Sequence, residues 1–232
     1  MTAPVQSLLF ADPREAADLA AFLGRLLHYD RGAAVRLQAS GGALAVFGRP
    51  PSFEVLAVRA VRLDGSHDLD VTVSAGELLE SLDTEGPSAG TGGLPAPVTG
   101  PPWTGVLPPR GGWHEAPPGT LPGPLDLRAA LTAAVTEFRR RDEALPEERR
   151  TRAERDLIGR EIWSRTVGDT ELPLRAVHAA QALGFLRAAP DFSVALLTAG
   201  TWLRLRTPFG SIAVRRAGAG GGLGGLAVSV GG

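Results

Sequence analysis

The side chains of this sequence with chemistry to offer are four histidines, two closely spaced acids, a run of arginines and two tryptophans set among prolines and glycines. The histidines are His28, His67, His114 and His178. No two stand at the i, i+4 spacing of a helical metal pair, and none lies in a His-x-His or His-Glu-x-x-His pattern, so a metal centre would have to be assembled by the fold; none is predicted. Asp68 and Asp70 would share one face of a strand, where paired carboxylates can hold a metal or move protons. Nothing else converges on them, and a solvated strand edge is the plainer reading. The absence of cysteine removes disulfides, thiolate nucleophiles and Cys-based metal sites. There is no Gly-x-Ser-x-Gly elbow and no Walker loop. The glycines of 218–225 imitate a dinucleotide fingerprint, but Leu226-Ala227-Val228-Ser229-Val230 after them alternates like a strand where that motif needs a helix N-terminus. No cofactor is predicted.

Two groups remain. Arg139, Arg140, Arg141, Arg149, Arg150, Arg152 and Arg155 cluster as phosphate contacts do. Asp142, Glu143, Glu147, Glu148, Glu154 and Asp156 interleave with them, which is the pattern of a solvated helix face. The second group is Leu107-Pro108-Pro109-Arg110-Gly111-Gly112-Trp113, with Trp103 nearby. A stiff Pro-Pro, a cation and exposed indoles can anchor a protein interface. The same tryptophans could equally pin a long linker to its own domain.

The elements that must position these groups are visible as a repeat. Val35, Leu37, Leu44, Val46 and Val55 recur as Val194, Leu196, Leu203, Leu205 and Val214, about 159 residues on. Helical segments near 20–26 and 179–186 recur with them, as do strand-like segments at 69–73 and 226–230. Such self-similarity indicates one supersecondary unit used twice about a pseudo-two-fold axis. Asp12-Pro13-Arg14-Glu15 predicts a helix start with an Asp cap, Pro at the first position and Glu15 placed for a capping box. Ala16, Leu19, Leu23, Leu26 and Leu27 continue it as one apolar stripe. Strands are predicted near 34–40, 43–48, 53–62 and 69–73, with Ser40-Gly41-Gly42 as a hairpin turn, then a short helix at 75–82. Helices near 125–145, 147–165 and 172–187 follow, then strands near 192–199, 202–207, 210–216 and 226–230. The fold class is α+β: two pseudo-symmetric helix-plus-four-strand antiparallel units with an inserted helical pair. Residues 1–83 form the first unit, 84–124 a Pro/Gly-rich strap, and 125–232 the helical pair and second unit.

Of 232 residues, 44 % are apolar and no apolar run approaches a membrane span, so a chain without transmembrane helix or signal peptide, working in the cytoplasm, is expected. All 24 basic residues are arginine, lysine and asparagine are absent, and isoleucine is scarce. That bias follows high-GC codon usage, so arginine here is not evidence of selection over lysine. Residues 1–124 carry 8 arginines against 13 acids and residues 125–232 carry 16 against 12, whereas a dedicated nucleic-acid binder is usually more basic overall.

Leu107 to Trp113, the helical pair after it, Leu172-Pro173-Leu174-Arg175 and Gly200-Thr201-Trp202-Leu203-Arg204-Leu205 together resemble uncharacterised proteins of high-GC Gram-positive (actinobacterial) genomes. The resemblance spans about residues 107–216 and implies no activity. The duplicated helix-plus-sheet architecture is also similar to that of sliding clamps and of type VII secretion chaperones, although the sequence motifs of neither are present. A clamp would imply a basic helical lining, and the repeated helices offer only Arg14, Arg25, Arg175 and Arg187. The predicted function is a non-enzymatic, protein-binding adaptor, chaperone or assembly factor, with Trp103, Arg110 and Trp113 as its contact residues. The alternative is a nucleic-acid-associated protein using the arginine-rich helices or a clamp-like ring. A third is an enzyme assembled around Asp68, Asp70 and a histidine. Another protein is the expected partner, and a homo-oligomer is compatible with the repeat.

Overall fold

The computed structural model describes residues 7–85, 88–189 and 191–216. In chain order the elements are β1 (Ser7–Leu9), α1 (Pro13–Tyr29), β2 (Ala34–Gly48), β3 (Leu56–Ser74), α2 (Ala75–Glu80), β4 (Leu82–Asp83), β5 (Thr91–Gly93), β6 (His114–Glu115), α3 (Pro124–Glu143), α4 (Arg152–Trp163), α5 (Leu174–Ala182), β7 (Ala195–Ala199), β8 (Trp202–Thr207) and β9 (Gly210–Arg215). The class is α+β with antiparallel sheets, as the repeat implied. One six-stranded sheet, ordered β2-β3-β9-β8-β7-β6, runs through both halves, and a three-stranded sheet, β1-β5-β4, sits beside it.

Helix α1 begins as the sequence implied, with the Asp12 carboxylate accepting from the Arg14 backbone N–H at 2.8 Å. Glu15, expected to close a capping box, instead accepts from Arg62 Nε at 2.9 Å. Leu19, Phe22, Leu23 and Leu26 are buried on one side of the helix. They share one buried core with the inward residues of the sheet: Val35, Leu37, Leu44 and Val46 of β2, Leu203 and Leu205 of β8, and Ile212 and Val214 of β9. Leu127, Leu131, Ile158, Ile162 and Val177 bring α3, α4 and α5 into the same core. Period-2 alternation thus gives the sheet a helix-covered inner face and a second, outer face.

The first half departs from the predicted hairpin. The chain passes straight through Ser40-Gly41-Gly42, and residues 34–48 form one strand paired along its length with 56–74, which likewise joins two predicted strands. The register shifts between Gly41 and Ala43, so the glycines accommodate a bulge, Gly41 at φ +59°, and turn nothing round. In the second half the matching glycine, Gly200 (φ +54°), does sit in a tight turn that folds β7 onto β8. The two copies are therefore alike in sequence but connected differently. Helix α4 begins at Arg152, after a short 3-10 turn at Glu147–Arg149, and α5 ends at Ala182, both shorter than expected. The predicted strand at 226–230 lies outside the described residues.

The halves are joined by three β3–β9 residue pairs, Leu56 with Ala213, Ala57 with Ile212 and Val58 with Ser211. Beside them Arg59, 6 % exposed, donates to Asp18 Oδ2 of α1 at 2.8 Å and to the Phe209 carbonyl of the β8–β9 turn at 2.6 Å. One buried cation thus fastens the first helix to the second half.

Candidate protein-binding site

Residues 94–116 cross the outer face of the sheet. The Val98 N–H donates to the Thr72 carbonyl at 2.9 Å, a 3-10 turn spans Pro102–Gly105, and β6 pairs with the outer edge of β7. The Ala116 N–H continues that pairing to the Leu196 carbonyl, and Arg206 bonds Glu115 at 2.9 Å. Beneath this strap Trp103, Leu107 and Trp113 pack on an apolar cluster of Leu56, Trp202 and Ala213.

The three contact residues proposed from sequence have different surroundings. Trp113 donates its indole N–H to the Pro109 carbonyl at 2.9 Å, and the Arg204 guanidinium lies 5.6 Å from its ring centroid. Burial, and then the nearby Arg206, push the Arg204 guanidinium below its ordinary pKa. Arg204 in turn donates to Ser211 Oγ at 2.8 Å. The indole bond stays within the strap, while the Arg204 contact and the apolar cluster link Trp113 to the sheet. Arg110 is mostly exposed and reaches Asp70 at 3.5 Å beside a small apolar groove that includes Phe47, Val58, Pro108 and Pro109.

Trp103 is half-buried and stands between two clefts. One, of about 410 Å³, is floored by Leu56, Val106, Trp202 and Ala213 and carries Arg49, Arg175 and Arg215 with a single acid, Glu54. The other, of about 770 Å³, continues past Arg49 and Glu54 along Pro51, Ser52 and Val98 to Pro101. Arg215 stacks on Trp202, its guanidinium carbon 5.1 Å from the ring centroid. Several separate pieces of chain build the pair of clefts: the α1–β2 turn with Asp30, the β2–β3 loop, Ser74 at the end of β3, the strap, the start of α5, and β8 with β9. In that loop Ser52 (φ 69°) and Glu54 (φ 52°) hold left-handed backbone conformations, costly for residues with a side chain. Reading along the chain found Trp103 alone; Arg49, Arg175, Trp202 and Arg215 become neighbours only when β9 docks on β3.

The arginines of the helical pair are largely consumed within it. Arg141 bonds Glu161 at 2.9 and 2.6 Å, and Arg165 bonds Glu137 at 2.6 and 2.9 Å. The hydrogen bonds from Arg141 and then Arg165 hold the Glu161 carboxyl at about 2. Arg149 pairs with Glu154 and Arg155 with Asp142. Arg152 lies 3.9 Å from Asp156, and Arg150 donates to the Glu143 and Leu145 carbonyls. Arg139 and Arg140 are exposed.

Asp70 accepts from Arg36 at 2.7 Å and from Gln38, while Asp68 is solvent-exposed. His67 bonds the Asp64 carbonyl, and His28 and His114 are exposed. His178 lies between Trp163 (4.5 Å) and Phe53 (5.0 Å), and burial lowers its pKa. Among the described residues no three His, Asp or Glu side chains gather as a metal site, and no helix is long and apolar enough to cross a membrane.

No curated protein matches the sequence. Among solved structures the chain is similar to a DNA polymerase sliding clamp from Pseudomonas aeruginosa with ligand, at 15 % identity and TM-score 0.47, over 92 % of this chain and 65 % of that one. It is similar to the DNA polymerase III subunit beta of the same organism at 14 % identity and TM-score 0.45, over 87 % and 62 % of the two chains. The chain thus spans less than two thirds of the length of either. Residues 3–105 match a domain of unknown function, DUF8010, and residues 108–219 match a second, DUF8185, the two meeting inside the strap between Trp103 and Trp113.

Proposed function

We propose that this chain is a non-enzymatic adaptor or assembly factor that holds another protein at the paired clefts around Trp103. The observation that supports this reading is the meeting of Trp103, Trp202, Arg49, Arg175 and Arg215 in one cleft. Tryptophan and arginine are the residue types that dominate protein-interface energetics, and here they surround concave, partly apolar surface. The nucleic-acid alternative has less to draw on at the helical pair, where most arginines already serve carboxylates and a phosphate would have to compete with them. A pull-down from native lysate tests the proposal, with wild type beside Trp103→Ala and with and without nuclease. A protein captured by wild type, resistant to nuclease and lost with Trp103, is the expected result. Capture that vanishes with nuclease, or that survives Trp103→Ala undiminished, overturns it.

A further inference from the structure

Resting on that reading, we infer that the occupant of the Trp103–Trp202 cleft is an extended peptide segment of the partner carrying a large apolar side chain flanked by carboxylates. Charge complementarity is the first argument. Arg49, Arg175 and Arg215 line this cleft, and none of their guanidinium groups makes a hydrogen bond or ion pair to a described residue, whereas cations elsewhere on the same sheet (Arg36, Arg59, Arg62, Arg206) are paired with acids. Glu54 alone opposes them. Residues 217–232, which follow Arg216 at the end of β9, contain no Asp or Glu, so no side chain of that segment can supply the missing anion.

A second observation is independent of charge counting. The Nε of Arg175, like those of Arg59 and Arg216, is buried with no hydrogen-bond partner among the described residues, and of the three only Arg175 lines the cleft. A buried guanidinium N–H left unsatisfied is costly, and a carboxylate accepting from the fork removes that cost. Third, the lining is largely apolar and Val106 is 46 % exposed, so that a bare inorganic anion would leave that surface uncovered. A peptide bearing both chemistries satisfies both surfaces. The neighbouring cleft past Arg49 and Glu54 gives the segment a direction in which to run.

The test is selection of random dodecapeptides displayed on phage against the full chain, followed by fluorescence-polarisation titration of a selected peptide. Selected sequences should share a large apolar residue with Asp or Glu within a few positions. Arg175→Ala and Arg215→Ala should each weaken binding about tenfold or more, Arg139→Ala should leave it unchanged, and Arg215→Glu should move selection toward basic peptides. Circular dichroism confirms that each variant folds. Selected peptides without acidic enrichment, or binding indifferent to both Arg175→Ala and Arg215→Ala, overturn the carboxylate assignment. If such peptides are still lost with Trp103→Ala, the protein-binding site itself stands. Binding of a labelled single-stranded oligonucleotide at this cleft, with no peptide selected, overturns both.

Discussion

Replacing Trp113 by alanine separates a staple from an anchor. The indole N–H bond to the Pro109 carbonyl, at 2.9 Å, contributes about 1 kcal/mol. The Arg204 guanidinium, 5.6 Å from the ring centroid, adds about 0.5 kcal/mol at this half-exposed site. The ring covers part of Leu56, Trp202 and Ala213, and losing a half-buried aromatic surface costs roughly 2 kcal/mol. Together these predict a loss of about 3.5 kcal/mol, which thermal unfolding followed by circular dichroism would read as a fall of roughly 7–14 °C for a chain of this size. Trp113→Phe keeps most of the ring and gives up the N–H, so it should recover more than half of that fall. Limited proteolysis supplies a second readout, with cleavage between Gly111 and Gly119 accelerating in the alanine variant. A fall below about 2 °C in Trp113→Ala, with the strap still resistant and partner capture lost, would refute the staple and make Trp113 the interface anchor.

Two further predictions concern the joint between the halves and the core beside it. Arg59→Met keeps the aliphatic stem but removes the bonds to Asp18 and the Phe209 carbonyl, and it should cost about 2–4 kcal/mol in urea denaturation; a loss under 1 kcal/mol would show that the cation does not fasten the halves. His178 is held neutral by burial, so the unfolded chain takes up the proton first as pH falls below the imidazole's ordinary 6.5. Stability should therefore decline through that range and level off below the folded-state value, and His178→Phe should flatten the decline; an unchanged profile in the variant would remove His178 as its cause.

The sequence was most legible where structure is local. The Asp12-Pro13 start and the stripe from Ala16 to Leu26 define α1 without outside help, and Gly200 between two alternating runs defines the β7–β8 hairpin. Gly41-Gly42 looked like the same device. Strand character can be read from alternation, but the partner of a strand is a non-local choice: residues 34–41 pair with 67–74, and the glycines only ease the change of register. The short strands β1, β4, β5 and β6 were missed for a related reason, since two or three residues carry no period. The strap's tryptophans correctly signalled that it packs on a surface. The arginines of the cleft were illegible because Arg49 and Arg175 stand alone and Arg215 is joined only by Arg216, in a sequence that uses arginine in place of lysine throughout, and only the β3–β9 pairing brings Arg49 toward Arg175 and Arg215.

The way the strap crosses the sheet also sets an order of events on the ribosome. Trp103, Trp113 and His114 leave the exit tunnel well before Trp202 and Thr198, the residues they rest on or pair with. Domains fold from the N-terminus as they are made, and the strap can meet Thr72 and Asp70 of β3 early, yet its tryptophans and His114 lack Trp202, Ala213 and Thr198 until β7, β8 and β9 have emerged. A chain stalled or truncated in its second half would fold α1 against β2 and β3, hold its strap loose, and possess neither wall of the tryptophan cleft formed by β8 and β9. Competence to bind at that cleft is thus reserved for molecules whose translation has passed β9.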